Sequence, residues 1–285
     1  MRRSSAFRVF RRSPVSATAL RKHARAALQG PDPSYAGEGA HLQRLLERCG
    51  VAPGYVVDIA AGDGVTQSCT LLLFRNPAWR GFAVEMDAMR FRRLQAAYSQ
   101  FSNVQLAQEK VTPESVEDLL RTHGVPARFE VLNLDLDSYD LWVADALLRS
   151  FQPAIITMEV NEKIPPPIYF TLLYGADQTP ANGHYYGCSL VAAAAIVRPH
   201  GYVLESLQYN NAFFVRQDVA AGRIADTNVP DAYERGYLGR ADRRELFPWN
   251  HNVEHLLRLE PTEAVAEVNR LFRDHEGGFI AEVRA

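Results

Sequence analysis

The stretch "VLNLDLDSYDLWV", residues 131–143, ends an apolar run with Asp135, Asp137 and Asp140. A second run, "AIITMEVNEK", residues 154–163, ends in Glu159, Asn161, Glu162 and Lys163. Strand side chains alternate with a period of two, so Asp135 and Asp137 share one direction, as do Glu159 and Asn161. If the two runs are neighbouring strands, carboxylates and an amide meet at their ends. Hard oxygen ligands of this kind suit Mg²⁺ or another divalent cation, with Asp135, Asp137 and Glu159 as the metal ligands. Without a metal, Asp135 or Glu159 could hold the substrate, and the candidates for the base that takes a hydroxyl's proton are His184, Glu159 and Glu162. A local alternative also exists. Asp137 or Ser138 could cap a helix starting near Tyr139, with Asp140 in its first turn, leaving only Asp135 to face a cleft.

A third stretch, "DIAAGDG", residues 58–64, reads as a strand running into a glycine turn. Gly62 and Gly64 permit a tight path and close approach of a ligand to the backbone. Glu85 ends the next apolar run, "GFAVEM", and an acid there can bond both hydroxyls of a ribose. A dinucleotide fingerprint would require a third glycine where Gln67 stands. The acidic Asp58–Asp63 turn is a poor pyrophosphate cradle and suits a cationic ligand, with an amino group and a sulfonium, better.

These groups need a scaffold that brings strand ends together. Apolar runs at 55–60, 81–86, 103–108, 129–135 and 154–160 alternate with helical patterns at 38–50, 65–75, 87–101, 112–124 and 139–151. This βαβ rhythm predicts an α/β fold with a parallel sheet covered on both faces, whose ligands bind at the carboxyl ends of the strands. The rhythm breaks at 161–187, a Pro- and Gly-rich insert expected to act as an irregular lid. An Ala-rich helix at 188–198 follows, then "GYVLESLQY" and "AFFVR" as an antiparallel hairpin around "NN". The expected organisation is a basic flexible arm at 1–37, one domain at 38–217, and an extension at 218–285 with a helix at 262–274. That extension caps the site or makes a subunit contact in a homo-oligomer.

Taken together, "VVDIAAGDGVTQSCTLLLF", "GFAVEMD", "LNLDLDSYDLWVADALL", "MEVNEKIPPPIYF", "YYGCSL" and "YNNAFFVR" resemble a branch of the class I S-adenosylmethionine (SAM)-dependent methyltransferases. The stretch from Glu159 to Pro167 is the most specific part, and the branch is loosely similar to FkbM-type enzymes. The resemblance implies a Rossmann-like, doubly wound, mostly parallel seven-stranded sheet with an antiparallel last hairpin. It implies SAM held by Asp58, Ala60, Gly62 and Gly64 at the methionine part, Glu85 at the ribose and Glu109 near the adenine. Ala60 stands where many such enzymes have glycine, and an alanine there is expected at negative φ. The implied reaction is methylation, most readily at oxygen, of a small molecule, sugar or glycan. Asp135, Glu159 and the lid residue His184 are the candidate catalytic groups. Asn161, Glu162, Lys163, Tyr186 and Asn211 are expected to bind substrate, Lys163 through an acidic group and Asn211 as a wall of the acceptor pocket. A metal-dependent O-methyltransferase shares the fold, and a catalytically silent SAM-fold binding subunit is the reading from another class.

Composition narrows the setting. No apolar stretch is long enough for a membrane span. Cys49, Cys69 and Cys188 are too scattered for a disulfide framework or zinc cluster, which fits a reducing, cytoplasmic compartment. Residues 1–31 carry eight cationic side chains and no acid, while the rest carries 23 against 33 acids. The arm has the Arg- and Ser-rich look of a transit peptide but lacks the apolar core of a secretory signal. An acidic body argues against nucleic acid as substrate.

Overall fold

A computed structural model describes residues 16–175 and 183–284. Its centre is a seven-stranded sheet built from β1 (Tyr55–Ile59), β2 (Arg80–Val84), β3 (Val104–Ala107), β4 (Arg128–Leu134), β5 (Gln152–Glu159), β7 (Tyr202–Gln208) and β8 (Asn211–Arg216). The spatial order is β3-β2-β1-β4-β5-β8-β7, and only β8 runs antiparallel to its neighbours. This is the doubly wound, Rossmann-like sheet with an antiparallel last hairpin that the sequence leads one to expect. The winding reverses between β1 and β4, where such sheets open their crevice.

Both faces are covered, which explains the nearly unbroken apolar strands. Val57 and Ile59 face one core with helices α5 (Val116–Thr122), α6 (Asp140–Leu148) and α7 (Leu190–Val197). Val56 faces the other, with α2 (Glu38–Cys49), α3 (Leu71–Phe74) and α4 (Ala88–Ala97). Gly50, at φ 67°, closes α2 as read from the sequence. The helix expected at 65–75 shrinks to α3, because Gln67 sits at φ 59° and breaks any helix through it.

Two segments depart from expectation. Residues 1–15 of the basic arm lie outside the described residues, but Ala17–Gln29 form helix α1 rather than loose chain. Ala27 is fully buried against α2, α3 and α4, and Arg75 donates to the carbonyls of Ala26, Ala27 and Gly30 at its C-terminus. The insert is not irregular throughout either. Residues 176–182 lie outside the described residues, yet Ile168–Leu172 form β6, which pairs antiparallel with β9 (Phe279–Val283) at the end of the chain. Ile168, Phe170 and Leu172 cover a third small core with Val253, Leu256, Val268 and Phe272. The extension thus folds onto the insert through short turns and the helix Pro261–Leu271. Among the described residues no helix is long and apolar enough to cross a membrane.

Candidate functional site

The register lays two polar rows across the sheet. Asp58 pairs with Asn133, Asn133 with Thr157, and Thr157 with Phe213. Two residues further on, the same face carries Asp135 at the end of β4, Glu159 at the end of β5 and Asn211 at the start of β8, Glu159 pairing with Asn211. The lower row is a hydrogen-bond chain. Thr157 donates to Asn133 Oδ1 at 2.5 Å, Asn133 donates to Asp58 Oδ1 at 2.8 Å, and Thr70 donates to Asp58 Oδ2 at 2.6 Å. Burial raises the Asp58 pKa, opposed by the bonds from Thr70 and Asn133.

The turn after β1 is shaped by left-handed backbone. Ala60, Gly62 and Gly64 have φ 64°, 59° and 76°. The negative φ expected of Ala60 is therefore wrong, and the alanine takes the conformation a glycine would. Left-handed backbone costs a non-glycine residue about 1–2 kcal/mol. A side chain at Gly64 would meet Leu94 Cδ1 at 2.6 Å and Tyr98 Cε1 at 2.8 Å, so this glycine is also needed for packing. Glu85, buried at the end of β2, accepts the Gly62 N–H at 3.0 Å and the Asp87 N–H at 2.6 Å. Its carboxylate is locked in place, with lone pairs left for a ligand.

Two cavities meet at these strand ends. The first, of 330 Å³, is lined by Glu38, Asp58, Ala60, Gly62, Asp135 and Asp137 among others, with Asn211, Arg90 and Arg93 on its walls. We call it the acidic cavity. A small annex of 80 Å³ shares Ala60, Arg90, Asp135 and Asp137 with it and adds Glu85, Met86 and Glu109. The second, of 280 Å³, is lined by Asp137, Glu159, Glu162, Lys163, Gly183, Tyr185, Tyr186, Asn210, Phe247 and Trp249. Asp137 belongs to all three, so it stands at the junction.

Asp137 has φ 60° and is exposed. It caps no helix: α6 begins at Asp140 with Tyr139 before it. Asp140 does the local work, accepting the N–H groups of Leu136 at 2.6 Å and Ser138 at 2.9 Å. Asp135, Asp137 and Glu159 each present an oxygen, and these lie within 4.8 Å of one another. Asp135 and Glu159 are both raised in pKa, first by burial and then by the neighbouring carboxylates. Asn210 donates to Glu159 Oε1 at 2.7 Å. Three hard oxygens so close together fit a divalent cation.

Several residues lie elsewhere than the sequence suggests. Asn161 lines neither cavity, because its amide donates to the carbonyls of His184 and Tyr186 and pins the insert. His184 is buried with its Nε2 on Asn252 Oδ1 at 3.0 Å and also lines neither cavity. Burial lowers its pKa, as does Lys163. Lys163 is 3% exposed, and its ammonium lies 3.2 Å from both Glu162 Oε1 and the Tyr186 hydroxyl. It lines the second cavity, with its ammonium already engaged by Glu162 and Tyr186. Tyr186 donates to Glu162 Oε2 at 2.5 Å. Asn211 lines the acidic cavity, where it donates to Glu38 Oε1 at 2.8 Å, so it is no wall of the second cavity.

Sequence reasoning missed Glu38, Met86, Asn133, Phe247 and Trp249. Asn133 was legible as a polar residue inside an apolar strand. Met86 follows Glu85 directly and is 61% exposed. Glu38 and the two aromatics sit on elements whose approach to the sheet no local pattern reveals.

No family model matches the chain, and no curated protein matches it. Solved structures do align. The N-terminal domain of EvdMO1, in the presence of SAH and D-fucose, is 13% identical over 74% of this chain and 98% of its own, with a TM-score of 0.43. An O-methyltransferase family protein from Burkholderia thailandensis is 14% identical over 70% of this chain and 59% of its own, with a TM-score of 0.40. A SAM-dependent methyltransferase from Aquifex aeolicus is 14% identical over 69% of this chain and 96% of its own, with a TM-score of 0.38. The fold assignment stands on the strand order itself.

Proposed function

We propose that the chain is a SAM-dependent methyltransferase acting on an oxygen of a small molecule, sugar or glycan. The observation that carries this reading is the acidic cavity at the switch point, joined at Asp137 to an aromatic second cavity. Glu38, Asp58 and Asp135 face the cationic amino and sulfonium groups of SAM, while Glu85 receives the ribose. Met86 and Glu109 flank the adenine in the annex. SAM when bound supplies a methyl group on sulfonium, which an oxygen nucleophile attacks in line. Holding donor and acceptor in two cavities that meet supplies the orientation.

The acceptor hydroxyl must lose its proton. Asp135 stands at the junction with its pKa pushed up to about 7 by burial and the neighbouring carboxylates, which suits it to accept a proton near neutral pH, and burial raises Glu159 beside it as well. His184, held by Asn252, is not the base in this reading. A second reading is favoured by the Asp135–Asp137–Glu159 cluster. These three would hold Mg²⁺ or a similar ion, which when bound lowers the pKa of an acceptor hydroxyl.

Production of S-adenosylhomocysteine from SAM, measured against sugar and phenol acceptors with and without a chelator, tests both readings. Turnover abolished by Glu159→Gln supports the carboxylate pair. Turnover untouched by chelator removes the metal. A folded protein that never consumes SAM with any acceptor counts against the enzyme.

A further inference from the structure

The second cavity has an unusual wall. Trp249 is 50% exposed, although exposed tryptophan is costly to leave in water. It is not loosely held. On one side Phe247 is buried, with its ring edge-on to Tyr35 and Tyr237 and stacked on Tyr209. On the other side Asn250 is buried and donates to Glu162 Oε1 at 2.6 Å and to the Tyr237 hydroxyl at 3.0 Å. Further along, Asn252 bonds His184 at 3.0 Å. The turn Pro248–Asn252 is thus clamped to the insert by the residues flanking the tryptophan. Trp249 is the exposed ring of a cavity wall that it shares with the more buried Phe247 and Tyr185, and Asp137, Glu159 and Asn210 line the same cavity.

The charge of this cavity restricts its guest. Lys163 is neutralised by Glu162, so the exposed carboxylate of Asp137 sets the local sign. A phosphate or carboxylate on the acceptor would be repelled and left unpaired. An indole face favours a flat apolar surface, and carboxylates beside an amide favour adjacent hydroxyls. We propose that Trp249, carried by the C-terminal extension, is the platform on which the acceptor lies, and that the acceptor is an uncharged ring bearing vicinal hydroxyls. This deepens the methyltransferase reading of the same site and rests on it.

Saturation-transfer NMR with two probes, methyl α-mannopyranoside and catechol, tests the proposal, with choline as the cationic control. It is run with and without S-adenosylhomocysteine. At least one diol should receive saturation from the wild-type protein, and Trp249→Ala should weaken that binding roughly tenfold, equivalent to about 1.4 kcal/mol. Trp249→Phe should keep most of it. Titration of S-adenosylhomocysteine into Trp249→Ala should give the wild-type affinity, which shows an intact fold. The proposal is overturned if neither diol binds, if choline binds in their place, or if Trp249→Ala binds a diol as well as wild type does. Loss of S-adenosylhomocysteine binding in the wild type itself would instead count against the methyltransferase reading, while the diol arm still decides the platform.

Discussion

Glu38 lies buried against Asn211 and the acidic row, and burial, with the charge of Asp135 behind it, pushes its pKa up to about 8 despite the Asn211 bond. The ordinary value is 4.5. The folded chain therefore binds more protons than the unfolded chain between these values, so stability falls as pH rises through that window. Glu38→Gln should flatten this fall. Melting temperatures of both proteins measured from about pH 5 to about pH 8 check it, and parallel curves would refute the assignment. Backbone strain gives a second pair of outcomes at this scale. Gly64→Ala should destabilise the fold by about 2 kcal/mol or more, through left-handed backbone and the clash with Leu94 and Tyr98. Ala60→Gly should be neutral to within about 1 kcal/mol, because relief at φ 64° offsets the entropy gained by the unfolded chain. Denaturant melts distinguish the two. The carboxylates at the strand ends were legible because a charge closing an apolar run is visible locally. Which of them caps a helix was not legible, because it depends on Asp137 turning to positive φ.

At the level of elements, the strands were readable and their partners less so. β1 through β5 announce themselves as apolar runs separated by helical patterns. β6 does not, because its partner β9 lies at the far end of the chain and only tertiary pairing makes it a strand. Helix α1 was hidden for a related reason. Its basic composition reads as a solvated arm, and its order comes from packing on α4 and from Arg75. Arg75→Ala removes the side-chain donor from the carbonyls of Ala26, Ala27 and Gly30, of which Ala26 keeps the Gly30 N–H. Hydrogen exchange across Ala17–Gln29 should then accelerate while β1 and β4 keep their protection. Unchanged exchange in α1 would show that packing alone holds it. His23 of the same helix bonds the Asp63 carbonyl at 2.8 Å, so loosening α1 should also loosen the glycine turn.

For the molecule as a whole, the arrangement is a rigid sheet that presents carboxylates and a second layer that encloses them. The insert and the extension form that layer together, through β6, β9 and the clamped turn at Trp249. Asp137 joins the acidic and aromatic cavities, and the account of function depends on what fills the acidic one. Isothermal titration of SAM into the full chain, beside Glu85→Ala and with NAD as control, tests this most directly. The account predicts one SAM bound per chain, affinity reduced about tenfold or more in Glu85→Ala, and no binding of NAD. A folded wild-type protein that takes up NAD and gives no heat with SAM would contradict it.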